Sequence, residues 1–190
     1  MRLFVGVELD DAVRRRAARL AADLRTDLER GHHFQARWVE PANLHLTLAF
    51  IGEVDEATGD AMRAELDRRF DVSPFDVHLA GFGAFPPSGP TRVVWLGVTR
   101  GDASMGQLHH EVEARLQPLG YQPERRAYSA HLTVARVKDA PRGRHAAIRN
   151  AIGEAPAGAG TLRVDHVTLF RSRLSPKGAA YETLLRVPLA

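Results

Sequence analysis

Two stretches decide how this chain reads: Asn43-Leu44-His45-Leu46-Thr47-Leu48-Ala49-Phe50 and Ala130-His131-Leu132-Thr133-Val134-Ala135-Arg136. Both alternate in the manner of a β-strand. Alternation puts His45 with Thr47, and His131 with Thr133, on one strand face, and leaves Leu46, Leu48, Leu132 and Val134 for the other. Unpaired polar side chains are costly to bury. Two strands that are apolar behind and carry His and Thr in front therefore predict a polar cleft.

Outward from these motifs, the pattern of elements repeats. Leu3 to Leu9 reads as a strand, followed from Asp10 by a helix with Val13, Ala17, Leu20 and Leu24 as its apolar stripe and Asp10 or Asp11 as its cap. The Pro41-Ala42-Asn43 turn leads into the strand His45 to Phe50. A helix follows over about Asp55 to Arg69, then strands over Phe75 to Phe82 and Arg92 to Thr99, separated by a loop rich in proline. Val93 to Val98 then stands where Leu3 to Leu9 stood. The second copy continues with a helix from Ala103 to Leu116, the motif strand Tyr128 to Val137, a helix over about Arg144 to Ile152, and strands Leu162 to Phe170 and Tyr181 to Val187. His131 lies 86 residues after His45, and Val93 lies 90 after Leu3.

This self-similarity predicts duplicated strand–helix units related by an approximate twofold axis, which brings the two motifs face to face. Two lobes joined in one unit are expected, with helices on the outer surfaces of the sheets and a groove between their inner faces.

The chain has 190 residues, 44% hydrophobic and 26% charged, which suits a soluble globular protein with a substantial core. No apolar run reaches the roughly 18 residues of a membrane span, and the acidic Glu8 and Asp10 come too early for a secretory leader. A cytoplasmic protein with no membrane partner is expected. The absence of cysteine excludes disulfides, thiolate nucleophiles and cysteine-ligated metal centres. The net charge of +3 permits an anionic partner without demanding one.

Histidine titrates closest to neutrality, so of two imidazoles flanking a scissile bond one can act as base and the other as acid. Thr47 and Thr133 offer hydroxyls to nonbridging phosphate oxygens. A zinc site built on His45, His131 and a third ligand is the main chemical rival, but no His-Glu-x-x-His signature is present. His109 and His110 read as helix-packing or solvent-face residues, His32 and His33 as a helix end, and His78, His145 and His166 as structural or surface residues. Arg136 could clamp a phosphate. Strict alternation, however, sets it on the face opposite His131, unless the strand twists, bulges or ends first. Arg126, also five residues from His131, carries the same parity objection. Trp38, Phe85 and Tyr128 could stack bases at the rim or pack inside. Arg171 and Arg173 could track a nucleic-acid backbone. No nucleotide-cofactor loop is present, so no cofactor and no metal are expected.

At these residues the sequence resembles the bacterial RNA 2',3'-cyclic phosphodiesterases of the two-histidine phosphoesterase superfamily, also described as RNA 2'-5' ligases. The likeness covers essentially the whole chain. It rests on Arg2-Leu3-Phe4-Val5-Gly6-Val7, on Trp38-Val39-Glu40-Pro41-Ala42-Asn43 leading into the first motif, and on Gly83-Ala84-Phe85-Pro86. The second motif through Arg136 and the run Val167 to Ser172 complete it. The resemblance implies an α+β fold, with residues 1–190 as a single bilobal catalytic domain whose interleaved lobes set antiparallel-rich sheets around a central cleft and helices outside. It also implies hydrolysis of an RNA 2',3'-cyclic phosphate end to a 2'-phosphate. It further implies His45 as the acid protonating the 3'-oxygen, His131 as the base activating water, and Thr47, Thr133 and Arg136 as phosphate ligands. The ligase label implies ATP-independent 2'-5' joining as well, with a ribose hydroxyl replacing water. The partner would be RNA with a cyclic phosphate end, tRNA fragments among the candidates, acted on by a monomer. Rival readings are a phosphodiesterase for another 2'-5' linked or small cyclic phosphate, and a noncatalytic RNA-binding module.

Overall fold

Apolar side chains at Val13, Ala17, Ala21, Leu24 and Leu28 recur every three or four residues, and this stripe makes Asp11–His32 an amphipathic helix, α1. Asp10 caps it, accepting from the Val13 amide at 2.8 Å. Helix α2 (Glu56–Leu66) begins the same way, with the Asp55 carboxylate accepting from Thr58 N at 2.7 Å. Helix α3 (Asp102–Leu116) buries Met105, Leu108, Val112 and Leu116, and α4 (His145–Glu154) buries Ile148 and Ile152. Each such side chain contributes about 1.5–3 kcal/mol on leaving water, and this holds the helices on the sheet. The computed structural model describes residues 1–32, 34–139, 143–175 and 178–190.

The strands, in chain order, are β1 (Arg2–Glu8), β2 (Gln35–Trp38), β3 (His45–Glu53), β4 (Phe75–Phe85), β5 (Val93–Arg100), β6 (His131–Asp139), β7 (Gly158–Val164), β8 (His166–Ser175) and β9 (Gly178–Pro188). They form one sheet in the order β7-β4-β5-β6-β3-β1-β8-β9, with β2 paired to β6 as well. The ladders between these strands are antiparallel. The two halves meet at β3 and β6 through the single pair Leu46–Leu132, so the motif strands flank a narrow seam. Helix α1 packs on β7 and beside α4, which covers β4. Helices α2 and α3 pair with each other, α3 under β3 and β5. Among the described residues no helix is long and apolar enough to cross a membrane.

The sheet departs from the sequence reading in two places. The single strand expected over Leu162 to Phe170 is two: β7 ends at Val164 and pairs with β4, whereas β8 starts at His166 and pairs with β1. Alternation continues through Asp165 and carries no mark of the change of partner. Strand β2 escapes the sequence reading, since four residues are too few to show a period.

Strands β3 and β6 follow one burial pattern: half-buried His, buried Leu, half-buried Thr, two consecutive buried residues, then an exposed one. The doublet is a β-bulge in both. β1 pairs Gly6 with Thr47 and Val5 with Ala49, which leaves Leu48 unopposed; β5 pairs Trp95 with Thr133 and Val94 with Ala135, which leaves Val134 unopposed. An extra residue reverses the parity of everything after it. Phe50 and Arg136 are thereby returned to the face of their motif threonines, opposite Phe4 and Val93. Strict alternation would have put Arg136 on the far side, and the bulge corrects it.

Candidate active site

Each motif histidine opens its strand and is fixed by a carbonyl two residues earlier. His45 Nδ1 lies 2.8 Å from the Asn43 oxygen, and His131 Nδ1 lies 2.7 Å from the Ser129 oxygen. A carbonyl only accepts, so both Nδ1 atoms carry hydrogen and Nε2 is left as the working nitrogen. Asn43 is itself anchored, its amide donating to Ala179 O at 2.7 Å. His45 Nε2 meets the Thr47 hydroxyl at 3.0 Å. Among the described residues, His131 Nε2 has no protein hydrogen bond.

Burial pushes the pKa of His45 below its ordinary value, and the charges of Arg136 and His131 add to that, against the Asn43 carbonyl, which raises it. His131 is likewise pushed down, first by burial and also by Arg136, against the Ser129 carbonyl and Glu124. Arg136 therefore acts electrostatically on both rings. Both are biased toward the neutral, basic form until an anion enters and offsets the arginine. Such an anion would allow one ring to hold a proton while the other stays free.

Aromatic walls hold the imidazoles. Phe4 lies 4.7 Å from the His45 ring and Tyr181 meets it edge-on at 5.3 Å, while Phe85 meets His131 edge-on at 5.1 Å with Trp95 behind it at 6.4 Å. Two glycines permit this closeness. A Cβ on Gly6 would stand 2.7 Å from Leu46 O, and one on Gly83 would stand 2.2 Å from the Trp95 indole.

The two halves match in scaffold and differ in chemistry. Phe50, an exposed aromatic, stands 86 residues before Arg136 at the corresponding bulge position, with the Arg2 guanidinium 5.1 Å from its ring centre. Beside β6 runs β2; beside the corresponding part of β3 no strand is described, and a cavity of about 440 Å³ opens instead. Its lining includes Thr47 and His131 as well as Phe50, Phe85, Tyr128 and Glu124. That volume falls within the range of small-ligand pockets.

The predicted site residues are thus distributed around one seam: His45 and Thr47 on β3, and His131, Thr133 and Arg136 on β6. Arg126 lines the cavity, as do Phe85 and Tyr128, whereas Trp38 packs against the core. Arg173 is paired with Glu182. His78 bonds Thr99 in an exposed position, and His166 belongs to a cluster around Glu8. His32 ends α1, and His33 lies outside the described residues. His109, read as a packing residue, holds the bulge: its Nδ1 meets Leu48 O at 2.7 Å, and its ring stacks on Tyr128 at 4.1 Å. The Tyr128 hydroxyl donates to Thr47 O at 3.0 Å. These tethers, like Glu124 and Phe50, carry no sequence motif.

Among the described residues no group of three or more His, Asp or Glu side chains is gathered as a metal-ligand set. A family model described as the 2'-5' RNA ligase superfamily matches residues 9–175. A relative from Methanothermobacter thermautotrophicus named RNA 2',3'-cyclic phosphodiesterase is 37% identical, with 95% of each chain covered. One of the same name from Thermotoga maritima is 34% identical over 97% of this chain and 93% of its own. Among solved structures, Escherichia coli LigT bound to 3'-AMP superposes with a TM-score of 0.77 at 26% identity, covering 99% of this chain and 97% of that one. A protein from Thermus thermophilus gives 0.76 at 29% identity, covering 100% and 98%.

Proposed function

Because the chain belongs to the 2'-5' RNA ligase superfamily, we propose that it hydrolyses RNA 2',3'-cyclic phosphate ends to 2'-phosphates by acid–base catalysis between His45 and His131, without a metal. The observation that carries this reading is the pair of imidazoles, each tied at Nδ1 to a carbonyl, with Arg136 acting on both. His131 Nε2 takes a proton from water as it attacks phosphorus. His45 Nε2, steadied by the Thr47 hydroxyl, gives its proton to the departing 3'-oxygen. Glu124 pulls in the opposite sense, toward a protonated His131, so product regiochemistry is the deciding measurement. Thr47, Thr133 and Arg136 hold the nonbridging oxygens, whose charge grows in the transition state.

The cyclic phosphate is strained and keeps its leaving group attached to the sugar, so positioned acid, base and charge suffice for its opening. The nucleoside occupies the cavity beside Phe50, Phe85 and Tyr128, where an aromatic face offers stacking. With a 5'-hydroxyl in place of water the same ring opening joins RNA ends: the hydroxyl oxygen bonds to phosphorus and gives its proton to His131, and the 3'-oxygen leaves with the proton of His45, which makes a 2'-5' bond without ATP. The reading includes a cytoplasmic monomer with tRNA fragments among its substrates, and size-exclusion chromatography with light scattering tests the monomer.

The test is to incubate the protein with EDTA and an oligoribonucleotide ending in 2',3'-cyclic phosphate and to identify the product by phosphorus NMR. A terminal 2'-phosphate supports the reading. A 3'-phosphate keeps the histidine pair and exchanges its roles, and loss of turnover in EDTA overturns the metal-free chemistry.

A further inference from the structure

We propose that Arg37, side by side with the Arg136 that holds the reacting phosphate, forms a second phosphate subsite, which takes a phosphodiester of the RNA one nucleotide away. This rests on the cyclic phosphodiesterase reading and deepens it, since it makes the natural substrate an oligonucleotide.

The argument starts from register. In the β2–β6 ladder Arg37 is the direct partner of Arg136, and the next pair is Trp38 with Ala135. Direct partners in an antiparallel ladder project from the same face, with Cα atoms about 4.5–5.5 Å apart. Trp38 packs against the core and Ala135 is buried, so Arg37 and Arg136 project the other way. That face is the catalytic one, because across β6 Arg136 pairs with Val93, two residues along β5 from Trp95, which flanks His131.

Like charges placed directly opposite each other on a sheet destabilise it. Both arginines are exposed, and neither makes an ion pair or side-chain hydrogen bond with protein among the described residues. Other arginines of this chain are spent on carboxylates: Arg14 on Asp11, Arg115 on Glu111, Arg163 on Asp76 and Arg173 on Glu182. Each guanidinium fork can take one phosphate bidentately, so the pair suits two successive phosphates, Arg136 at the reacting one and Arg37 at the next.

Broken symmetry adds direction. β2 carries Arg37 on one side of the seam, and the corresponding place on the other side is the cavity. An RNA whose terminal nucleoside fills the cavity and whose phosphate lies at the histidines thus meets Arg37 on the far side of the reacting phosphate. The phosphodiester there comes either from the substrate strand folding back or from a second, 5'-hydroxyl strand. Both offer the same charge.

The experiment compares a nucleoside 2',3'-cyclic phosphate with a dinucleotide ending in one, for the unmodified protein and for Arg37→Gln. The substitution is expected to lower the ratio of kcat/KM for the dinucleotide over the mononucleotide about tenfold if the substrate strand supplies the phosphodiester. If a second strand supplies it, the ratio stays level. Inhibition of mononucleotide hydrolysis by a 5'-hydroxyl trinucleotide instead weakens about tenfold. Independently of turnover, a fluorescent trinucleotide ending in 2'-phosphate is titrated against salt. Removing one arginine–phosphate pairing lowers the slope of log K against log salt by about 0.7. A ratio, inhibition and salt slope all unaltered by Arg37→Gln overturn the subsite. Hydrolysis absent from the unmodified protein overturns the catalytic reading instead, and the salt slope still decides the subsite.

Discussion

Removing the Tyr128 hydroxyl tests how the first motif is held from the second half of the chain. Tyr128 sits three residues before His131, yet its hydroxyl donates to the carbonyl of Thr47 at 3.0 Å. Its ring stacks at 4.1 Å and 9° on His109, whose Nδ1 meets the neighbouring Leu48 carbonyl. Burial raises the phenol well above its ordinary range, so it stays a donor across the working pH range. Tyr128→Phe keeps the ring and its stacking and leaves the Thr47 carbonyl without its partner. A part-buried acceptor so orphaned costs about 1–2 kcal/mol. For a chain of 190 residues this lowers Tm by about 2–8 °C. The bulge at Leu48 is then free to shift, and with it the Thr47 hydroxyl that meets His45 Nε2. A small displacement of this kind lowers kcat by about 3–10-fold, with the effect on KM smaller. The assay is urea unfolding together with steady-state hydrolysis, run also in a Thr47→Ala background. If Tyr128 acts through Thr47, its loss costs little further kcat once the hydroxyl is gone. Equal cost in both backgrounds, or no loss of stability, refutes the tether.

Arg136→Gln removes the cation that depresses both histidines, so both NMR titrations move to higher pH while kcat/KM falls by about 10²-fold; unshifted titrations contradict the placement of its charge. Glu8 accepts from Arg186, Thr168 and His166, chiefly Arg186, and its carboxyl is held at about 2 against an ordinary 4.5. A depressed carboxyl contributes stability above its unfolded value, and that contribution fades as pH falls through the folded one. Glu8→Gln therefore costs about 1–2 kcal/mol at pH 7 after solvent screening, and progressively less between about pH 4.5 and 2, as read by urea midpoints. Gly83→Ala drives a Cβ to 2.2 Å from the Trp95 indole, so the ring must leave its place behind His131. About 1–3 kcal/mol of overpacking and reduced turnover follow, and retention of both stability and activity counts against Trp95 as the wall of the site.

Much of the site is legible because alternation is a local property: His45 with Thr47, and His131 with Thr133, follow from a period of two. Arg136 is not, because its face depends on one extra residue. The sign is nonetheless present, since Leu48-Ala49 and Val134-Ala135 are the same kind of apolar doublet at the same distance from each motif. Periodicity also runs through Asp165 unbroken, although β7 and β8 pair far apart in the sheet. Arg37 and His109 come beside the motif strands only through long-range pairing, which no local pattern encodes. The narrow seam at Leu46–Leu132 is a property of the sheet and of neither motif alone.

The central claim is that His45 and His131 act as one acid–base unit, and kinetics on an oligoribonucleotide with a 2',3'-cyclic phosphate end test it most directly. Groups that act as a unit are strongly non-additive. His45→Ala and His131→Ala are each expected to lower kcat by about 10²–10⁴-fold, and the double variant by little more than the worse single. Full turnover by the double variant, or losses that multiply as for independent residues, would contradict it.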